Sequence, residues 1–239
     1  KNYGTQIYGD LGESIQQTID GGYIICGFTV DVINQDRNIY LIKTDPQGDT
    51  IWTKTYGSSS GGSGVNPSND EGYSVQQTTD GGYIICGSTK IGFGNPLWGT
   101  KYGYLIKINS YGDTVWTKQL SGVELCSKVQ QTTDGGYIMT GSNLSNSSGI
   151  SKVWLIKTNS QGDISWIQTF NDTNHSNGNS VQQTTDGGYI VVGRTYSNLN
   201  QWDVYLIKTD GNGNITSTFN IPTPSSNRKL EKIVDILGR

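Results

Sequence analysis

The sequence predicts an all-β fold, a β-propeller of four four-stranded blades, and three observations support this prediction. The 239 residues include 33 glycines, 14 tyrosines and 6 tryptophans, a composition typical of many short strands joined by tight turns. Two blocks of sequence recur four times in the same order, and the Gln pairs that mark the first block begin at residues 16, 76, 130 and 182. The resulting spacings of 60, 54 and 52 residues match the length of one four-stranded blade.

The first block of each repeat predicts a hairpin of two strands, which we call strands a and b. In the second repeat it reads SVQQTTDGGYIICGST from Ser74, and the other copies begin at Ser14, Lys128 and Ser180. The SVQQT segment predicts strand a, and the Asp-Gly pair supplies a turn whose residues tolerate positive φ. The GYIICG segment is apolar nearly throughout, so strand b is expected to be buried on both faces.

The second block predicts strands c and d. In the first repeat it reads YLIKTDPQGDTIWTKTYG from Tyr40, and its counterparts begin at Tyr104, Trp154 and Tyr205. The YLIKT segment predicts strand c, and a turn rich in Asp, Asn and Gly leads into strand d. The four repeats then cover about residues 10–57, 70–122, 123–171 and 178–220.

The connections between strands b and c, and between strand d and the next strand a, vary in length among the repeats. Such variable loops are where a binding function is most easily added to a rigid scaffold. The loop from Lys90 to Gly103 is long and carries Phe93, Leu97 and Trp98 among glycines. Apolar side chains in this setting cap a neighbouring blade, contact another subunit or bind a partner. These three residues are therefore our candidate binding residues.

The two ends of the repeat region leave the closure of the fold open. The segment Thr5–Gly9, TQIYG, matches TKTYG in the first repeat and predicts an orphan outer strand at the N-terminus. The last repeat has its own candidate for strand d at Asn214–Asn220, with Ser217 where the other repeats have tryptophan. We favour a four-bladed propeller in which the N-terminal strand either closes the ring or lies beside it, and the alternative is an open array of four blades whose ends need a neighbouring chain.

The a–b block resembles the inner hairpin of WD40-type blades. The whole repeat, QQTxDGGYI followed by YLIKTDxxGDxxW, resembles the propeller-type repeats of secreted Bacteroidetes and archaeal proteins, over Thr5 to Asn220. This resemblance is specific for architecture. It implies no particular ligand, because propellers carry many unrelated activities.

Residues 221–239 differ in character from the repeats and form a predicted linker and tail. The linker contains two prolines, and the 13 residues that follow read NRKLEKIVDILGR. This ending resembles the opening of the C-terminal sorting domain of type IX secretion, which implies a secreted or outer-surface protein. The alternative is an amphipathic terminal segment that presents leucine, isoleucine and valine on one helical stripe.

Composition argues against several classes of function. The net charge is −3, from 17 basic and 20 acidic residues, so we expect no nucleic-acid partner. No apolar run approaches the roughly 20 residues of a membrane span. The single histidine, His175, lies in a polar segment, and the three cysteines form no closed disulfide set. We predict no catalytic residue, no metal and no cofactor.

The tyrosines and tryptophans that recur in the repeats have two interpretations, sugar stacking or packing of blade on blade. They are Tyr23, Tyr83, Tyr137 and Tyr189 in strand b, with Trp52, Trp116 and Trp166 in strand d. Their recurrence in successive repeats favours packing. The Gln pairs are expected near a central channel, where a hydrogen-bonded network is favoured over a bound ion or water cluster.

The remaining repeated polar residues are best explained by turns. Asp20, Asp80, Asp134 and Asp186 each precede glycine in the a–b turn. The segment from Asp210 begins like a calcium-binding loop, but Ile215 and Ile221 stand where that loop needs glycine and glutamate. Cys26 shares its position with Cys86, Thr140 and Val192, which indicates a small buried packing site with an inert thiol.

These observations lead us to expect a secreted or surface-exposed binding, adhesion or structural module whose loops meet a protein or glycan. A second possibility is a self-associating subunit of an extracellular assembly or filament. A third is a hydrolase or lyase with a site at the channel mouth. That site would have to use the four repeated aspartates, which turn formation already explains.

Overall fold

The protein is all-β in a computed structural model that describes residues 1–4, 9–30, 36–57, 69–91, 100–144, 149–170, 174–196 and 201–221. Sixteen strands form four antiparallel sheets, and each sheet keeps the chain order of its four strands. The predicted strands a to d are thereby confirmed in every repeat, and we call each sheet a blade. Within these ranges, no helix is long and apolar enough to cross a membrane.

The four blades have the following strands. Blade 1 contains β1 (Leu11–Gln17), β2 (Tyr23–Val30), β3 (Arg37–Thr44) and β4 (Thr50–Tyr56). Blade 2 contains β5 (Glu71–Gln77), β6 (Tyr83–Ile91), β7 (Thr100–Ile108) and β8 (Thr114–Leu120). Blade 3 contains β9 (Leu125–Gln131), β10 (Tyr137–Leu144), β11 (Ser151–Thr158) and β12 (Ile164–Phe170). Blade 4 contains β13 (Ser176–Gln183), β14 (Tyr189–Tyr196), β15 (Trp202–Thr209) and β16 (Ile215–Ile221).

The a–b turns have the backbone that the Asp-Gly sequence predicts. The glycine after the aspartate has φ of 82°, 81°, 82° and 81° in the four blades. The second glycine of the turn in blade 2, Gly82, is required by close approach, because a Cβ there would collide with the Ile108 carbonyl and the Lys107 ammonium. Both glycines of this turn therefore have a structural reason.

Successive blades pack face to face through three apolar clusters. In β6, Ile84 and Cys86 pack against blade 3, whereas Tyr83 and Ile85 pack against blade 1, as the two-residue period of a strand requires. We call the face toward the following blade the front face and the opposite one the rear face. The third cluster joins blade 3 to blade 4.

The last blade is completed by its own outer strand, because β16 pairs with β15 along its length. Of the predicted orphan strand, residues 5–8 lie outside the described ranges. No apolar cluster of the described residues joins blade 4 back to blade 1. The blades therefore form a propeller-like array that is open between its first and last members.

Candidate functional site

The loop residues that the sequence offered as binding candidates, Phe93, Leu97 and Trp98, lie outside the described residues, as does the tail after Ile221. The described strands place their loop between β6 and β7, at the b–c connection of blade 2. The candidate surfaces below come instead from the blades themselves.

A central cavity of about 250 Å³ lies where the innermost strands of all four blades meet. It is lined by the first glutamine of each pair, Gln16, Gln76, Gln130 and Gln182, together with aliphatic side chains, Ser180 and Lys128. In three of these glutamines Oε1 accepts a hydrogen bond from a backbone N–H of the following blade. The donors are Gln77 at 2.6 Å, Gln131 at 2.5 Å and Gln183 at 2.7 Å.

The second glutamine of the last three pairs binds in the opposite direction, toward the preceding blade. Oε1 of Gln77 accepts from the Ile19 N–H of blade 1 at 2.8 Å, and Gln131 accepts from Thr79 at 2.9 Å in the same way. Gln183 repeats the contact with Thr133, also at 2.9 Å. The predicted amide network is therefore confirmed, and it joins neighbouring blades.

Each repeated aspartate forms an ion pair with the lysine of strand c in its own blade. Lys43 lies 2.8 Å from Asp20, and Lys107 lies 2.9 Å from Asp80. The other two pairs, Lys157–Asp134 and Lys208–Asp186, are both 2.8 Å long. Each aspartate also accepts the N–H of the second turn glycine. The carboxylates are thus held in a structural role.

These contacts lower the pKa of the aspartates. Hydrogen bonds from Lys43 and Thr18 lower the pKa of Asp20 from 3.8 to about 2. At Asp80 and Asp134 partial burial acts in the opposite direction, but hydrogen bonds from the turn threonine, the paired lysine and the glycine N–H outweigh it, and both pKa values are again about 2. All three carboxylates remain charged at neutral pH.

The lysine partners were missed by the sequence reasoning, although a signal was present. Lys43, Lys107 and Lys157 are buried, with at most 6% of each residue exposed. A lysine recurs in the apolar strand c of all four repeats, always as the fourth residue of the YLIK or WLIK segment, 23, 27, 23 and 22 residues after the aspartate. Burial of such a charge requires a partner, so this recurrence predicts an ion pair.

The c–d turns also use their polar side chains internally. Oδ1 of Asp210 accepts the N–H groups of Asn212 and Asn214, at 2.9 and 2.8 Å. Asp45, Asn109 and Asn159 make the equivalent contacts in the other blades. In the part of the chain that the structure describes, no group of three His, Cys, Asp or Glu side chains is placed to hold a metal ion.

His175 contacts Ser151, whose Oγ lies 3.4 Å from His175 Nδ1 and donates to Asn177 Oδ1 at 3.2 Å. Nδ1 of the exposed His175 accepts the Ser151 N–H at 3.1 Å. Cys26, Cys86 and Cys126 are free and fully buried, and burial raises the pKa of the first two well above 9.0. Cys126 stands in strand a of blade 3 at the position that Gly72 and Gly178 hold in blades 2 and 4, and like them it pairs with a glycine of strand b. The Cys126 carbonyl lies 3.4 Å from Cys86 Sγ.

The front face of blade 4 exposes positions that are buried in the other blades. Val192 is 39% exposed, whereas its counterparts Cys26, Cys86 and Thr140 are all at 0%. Val204 is 45% exposed, while its counterpart Val153 in blade 3 is at 0%. These side chains are exposed because no following blade covers them, not because they differ in chemistry.

An aromatic cluster lies on the same face of blade 4. The guanidinium of Arg194 lies 4.4 Å from the centre of the Trp202 ring, a cation–π contact. Tyr196 packs edge-on against Trp202, with 5.3 Å between the two ring centres. Trp202 remains partly exposed. An apolar face with arginine and aromatic side chains has the composition of a protein-binding surface.

The rear face of blade 1 shows the matching exposure. Ile15 is 65% exposed, whereas its counterparts Val75, Val129 and Val181 are at 2%, 0% and 4%. The two ends of the array therefore each present one uncovered half of an interblade interface.

The first residues of the chain cover the outer part of this rear face. Lys1 forms an ion pair with Asp49, and Tyr3 Oη donates to the Gly48 carbonyl. Lys54 and Tyr56 make the same two contacts with the c–d turn of blade 2, at 3.3 and 2.6 Å. Residues Lys1–Gly4 (KNYG) thus lie against blade 1 as residues Lys54–Gly57 (KTYG), at the end of β4, lie against blade 2.

Comparison with protein-family models and with curated proteins finds no match for this chain. The resemblances to secreted repeat proteins and to a sorting domain therefore remain predictions from the sequence.

Proposed function

We propose that this protein is a non-catalytic structural and binding module that works through protein contacts at the two ends of its blade array. One observation carries the proposal: positions that are buried at three interblade interfaces are exposed on the front face of blade 4 and the rear face of blade 1. Contiguous apolar surface of this kind on a folded protein is typical of an interaction site.

The non-catalytic part of the proposal is supported by the polar residues. The four repeated aspartates are held by lysines and by turn N–H groups, so the carboxylates expected for a channel-mouth hydrolase are already engaged. The described lining of the central cavity consists of amides, aliphatic side chains, a serine and a lysine, without a carboxylate. General acid–base hydrolysis by paired carboxylates has no support there.

A protein partner is favoured over a glycan at these ends. The three recurring tryptophans are occupied with Tyr83, Tyr137 and Tyr189 across the blade interfaces and so are not free to stack on sugar. The interface positions left uncovered at the two ends, Ile15, Val192 and Val204, are aliphatic, and aliphatic surface is buried more readily by another protein.

Export to the outer surface is a separate part of the proposal. It rests on the likeness of residues 227–239 to the start of a sorting domain. Glycan or protein binding by the loop that carries Phe93, Leu97 and Trp98 likewise remains a proposal from the sequence.

A photo-crosslinking amino acid at Val204 or Ile15, introduced into the chain in the cells that produce it, tests the use of the end faces. We expect crosslinked protein from both positions. The matched control is Val115, which is 59% exposed on an outer strand away from both ends and is expected to give none. Equal crosslinking at all three positions, or none at the two end positions, would exclude the proposed role.

A further inference from the structure

We propose that the front face of blade 4 binds the rear face of blade 1 in a second copy of this chain, with the inner-strand contacts of the internal interfaces. This inference rests on the proposed function and names its partner. The occupant is argued from the three interfaces that the chain already makes, because each end of the array carries one half of the same contact.

The apolar residues of the two ends are the counterparts of residues that meet inside the array. Between blades 1 and 2, Ile24, Cys26 and Leu41 of one front face share a cluster with Val75 and Ile85 of the next rear face. On the free front face of blade 4, the counterparts of Ile24, Cys26 and Leu41 are Ile190, Val192 and Leu206, in that order. On the free rear face of blade 1, the counterparts of Val75 and Ile85 are Ile15 and Ile25.

The glutamine contacts are complementary as well. Gln182 is the front-face counterpart of Gln76, whose Oε1 accepts the Gln131 N–H. Gln17 is the rear-face counterpart of Gln131, whose Nε2 donates to the Gly135 carbonyl while its Oε1 accepts from the preceding blade. Gln17 Nε2 already donates to the Gly21 carbonyl at 3.2 Å. The Gln17 side chain is thus held as that of Gln131 is, in the arrangement in which Oε1 accepts an N–H of a preceding blade.

The proposed contact is made by the inner strands of the two ends. In the three internal interfaces a strand-d tryptophan covers the tyrosine at the start of the next strand b. Blade 4 has Ser217 at that position, and Lys1 and Tyr3 already occupy the c–d turn of blade 1. A second copy therefore needs to cover only the inner strands of the rear face of blade 1. Blade 4 supplies apolar residues for this contact on its own inner strands, β14 and β15.

The front and rear faces are different surfaces, so the contact is head-to-tail. Two copies close a ring if four blades complete half a turn, and a larger ring or a filament forms otherwise. In each case one substitution at either end removes the same contact.

Light scattering of the purified full chain, up to about 1 mM, measures the association. We expect concentration-dependent dimers or larger species. Ile15→Lys and Val192→Lys should each weaken association about tenfold or more, because each places a charge in an apolar contact. Val115→Lys is the matched control and should associate like the wild type. Unchanged melting temperatures at low concentration show that the variants are folded.

Mixing the two end variants tests the head-to-tail arrangement. Ile15→Lys keeps an intact front face and Val192→Lys keeps an intact rear face, so the mixture should form a heterodimer that neither variant forms as a homodimer. A wild type that stays monomeric at all concentrations, or variants that associate like the control, would overturn the second-copy proposal. If the partner crosslinked at Val204 and Ile15 is then a different protein, the proposed function stands and the second-copy proposal does not.

Discussion

The indole of Trp52 in blade 1 meets the ring of Tyr83 in blade 2 edge-on, with 6.1 Å between ring centres and an angle of 71° between the planes. Trp116–Tyr137 and Trp166–Tyr189 repeat the contact at 5.9 and 5.8 Å. Edge-to-face pairs at this distance stabilise the packing beyond the area they bury. The outermost strand of one blade is thereby fixed to the central hairpin of the next, and the predicted packing role of these aromatic residues is confirmed.

We expect Trp52→Ala to lower the free energy of unfolding by about 2–4 kcal/mol, since it removes a large, partly buried aromatic side chain and leaves Tyr83 uncovered. The matched control is Ser217→Ala, at the same place in the last blade, with an expected change within about 0.5 kcal/mol. Urea denaturation measures both values. A loss below about 1 kcal/mol for Trp52→Ala would contradict the packing role.

The pKa values of Asp20, Asp80 and Asp134, about 2 in the folded protein against 3.8 ordinarily, predict loss of stability in acid. A carboxyl whose folded pKa lies below its unfolded value stabilises the fold above the unfolded pKa, and this contribution disappears as the pH falls through the folded pKa. The free energy of unfolding should therefore decrease from about pH 5 to about pH 2.

Asp80→Asn isolates one of these ion pairs. At neutral pH the variant should be less stable than the wild type, because Lys107 stays buried without its charged partner. The difference should shrink as the pH falls toward about 2, since the wild-type carboxyl is then protonated as well. Urea midpoints across this range test the expectation. A difference that stays constant with pH would mean that the charge of Asp80 does not stabilise the blade.

The blade architecture was predictable from the sequence because turn glycines and strand residues recur in phase. The exposed ends were only one of two alternatives at that stage, since Ile190 and Val192 resemble residues that are buried in other blades and only the missing neighbour distinguishes them. The N-terminal contact was also missed: TQIYG gave the better match to an outer strand, whereas Lys1 and Tyr3 of KNYG make the equivalent contacts. Local patterns determine strands and turns, but exposure depends on what packs against them.

The cysteines provide a test of the interblade packing. Cys26, Cys86 and Cys126 lie inside the apolar clusters, and burial raises the pKa of Cys26 and Cys86, so the native protein should not react with a thiol reagent. All three should react after denaturation. Absorbance of the released chromophore, before and after addition of denaturant, measures this. Rapid labelling of the native chain would show that the interfaces open readily.

The glutamine contacts allow the interblade hydrogen bonds to be measured apart from packing. Gln76→Met keeps the length of the side chain but leaves the Gln131 N–H without its acceptor, so we expect a loss of about 1–2 kcal/mol in the free energy of unfolding. Gln182→Met makes the same change on the open front face of blade 4, where the side chain is exposed, and should cost less than about 0.5 kcal/mol. Both are measured at low concentration, where the chain is expected to be monomeric. Equal losses at the two positions would mean that the amide of Gln76 stabilises its own blade and not the contact with the next.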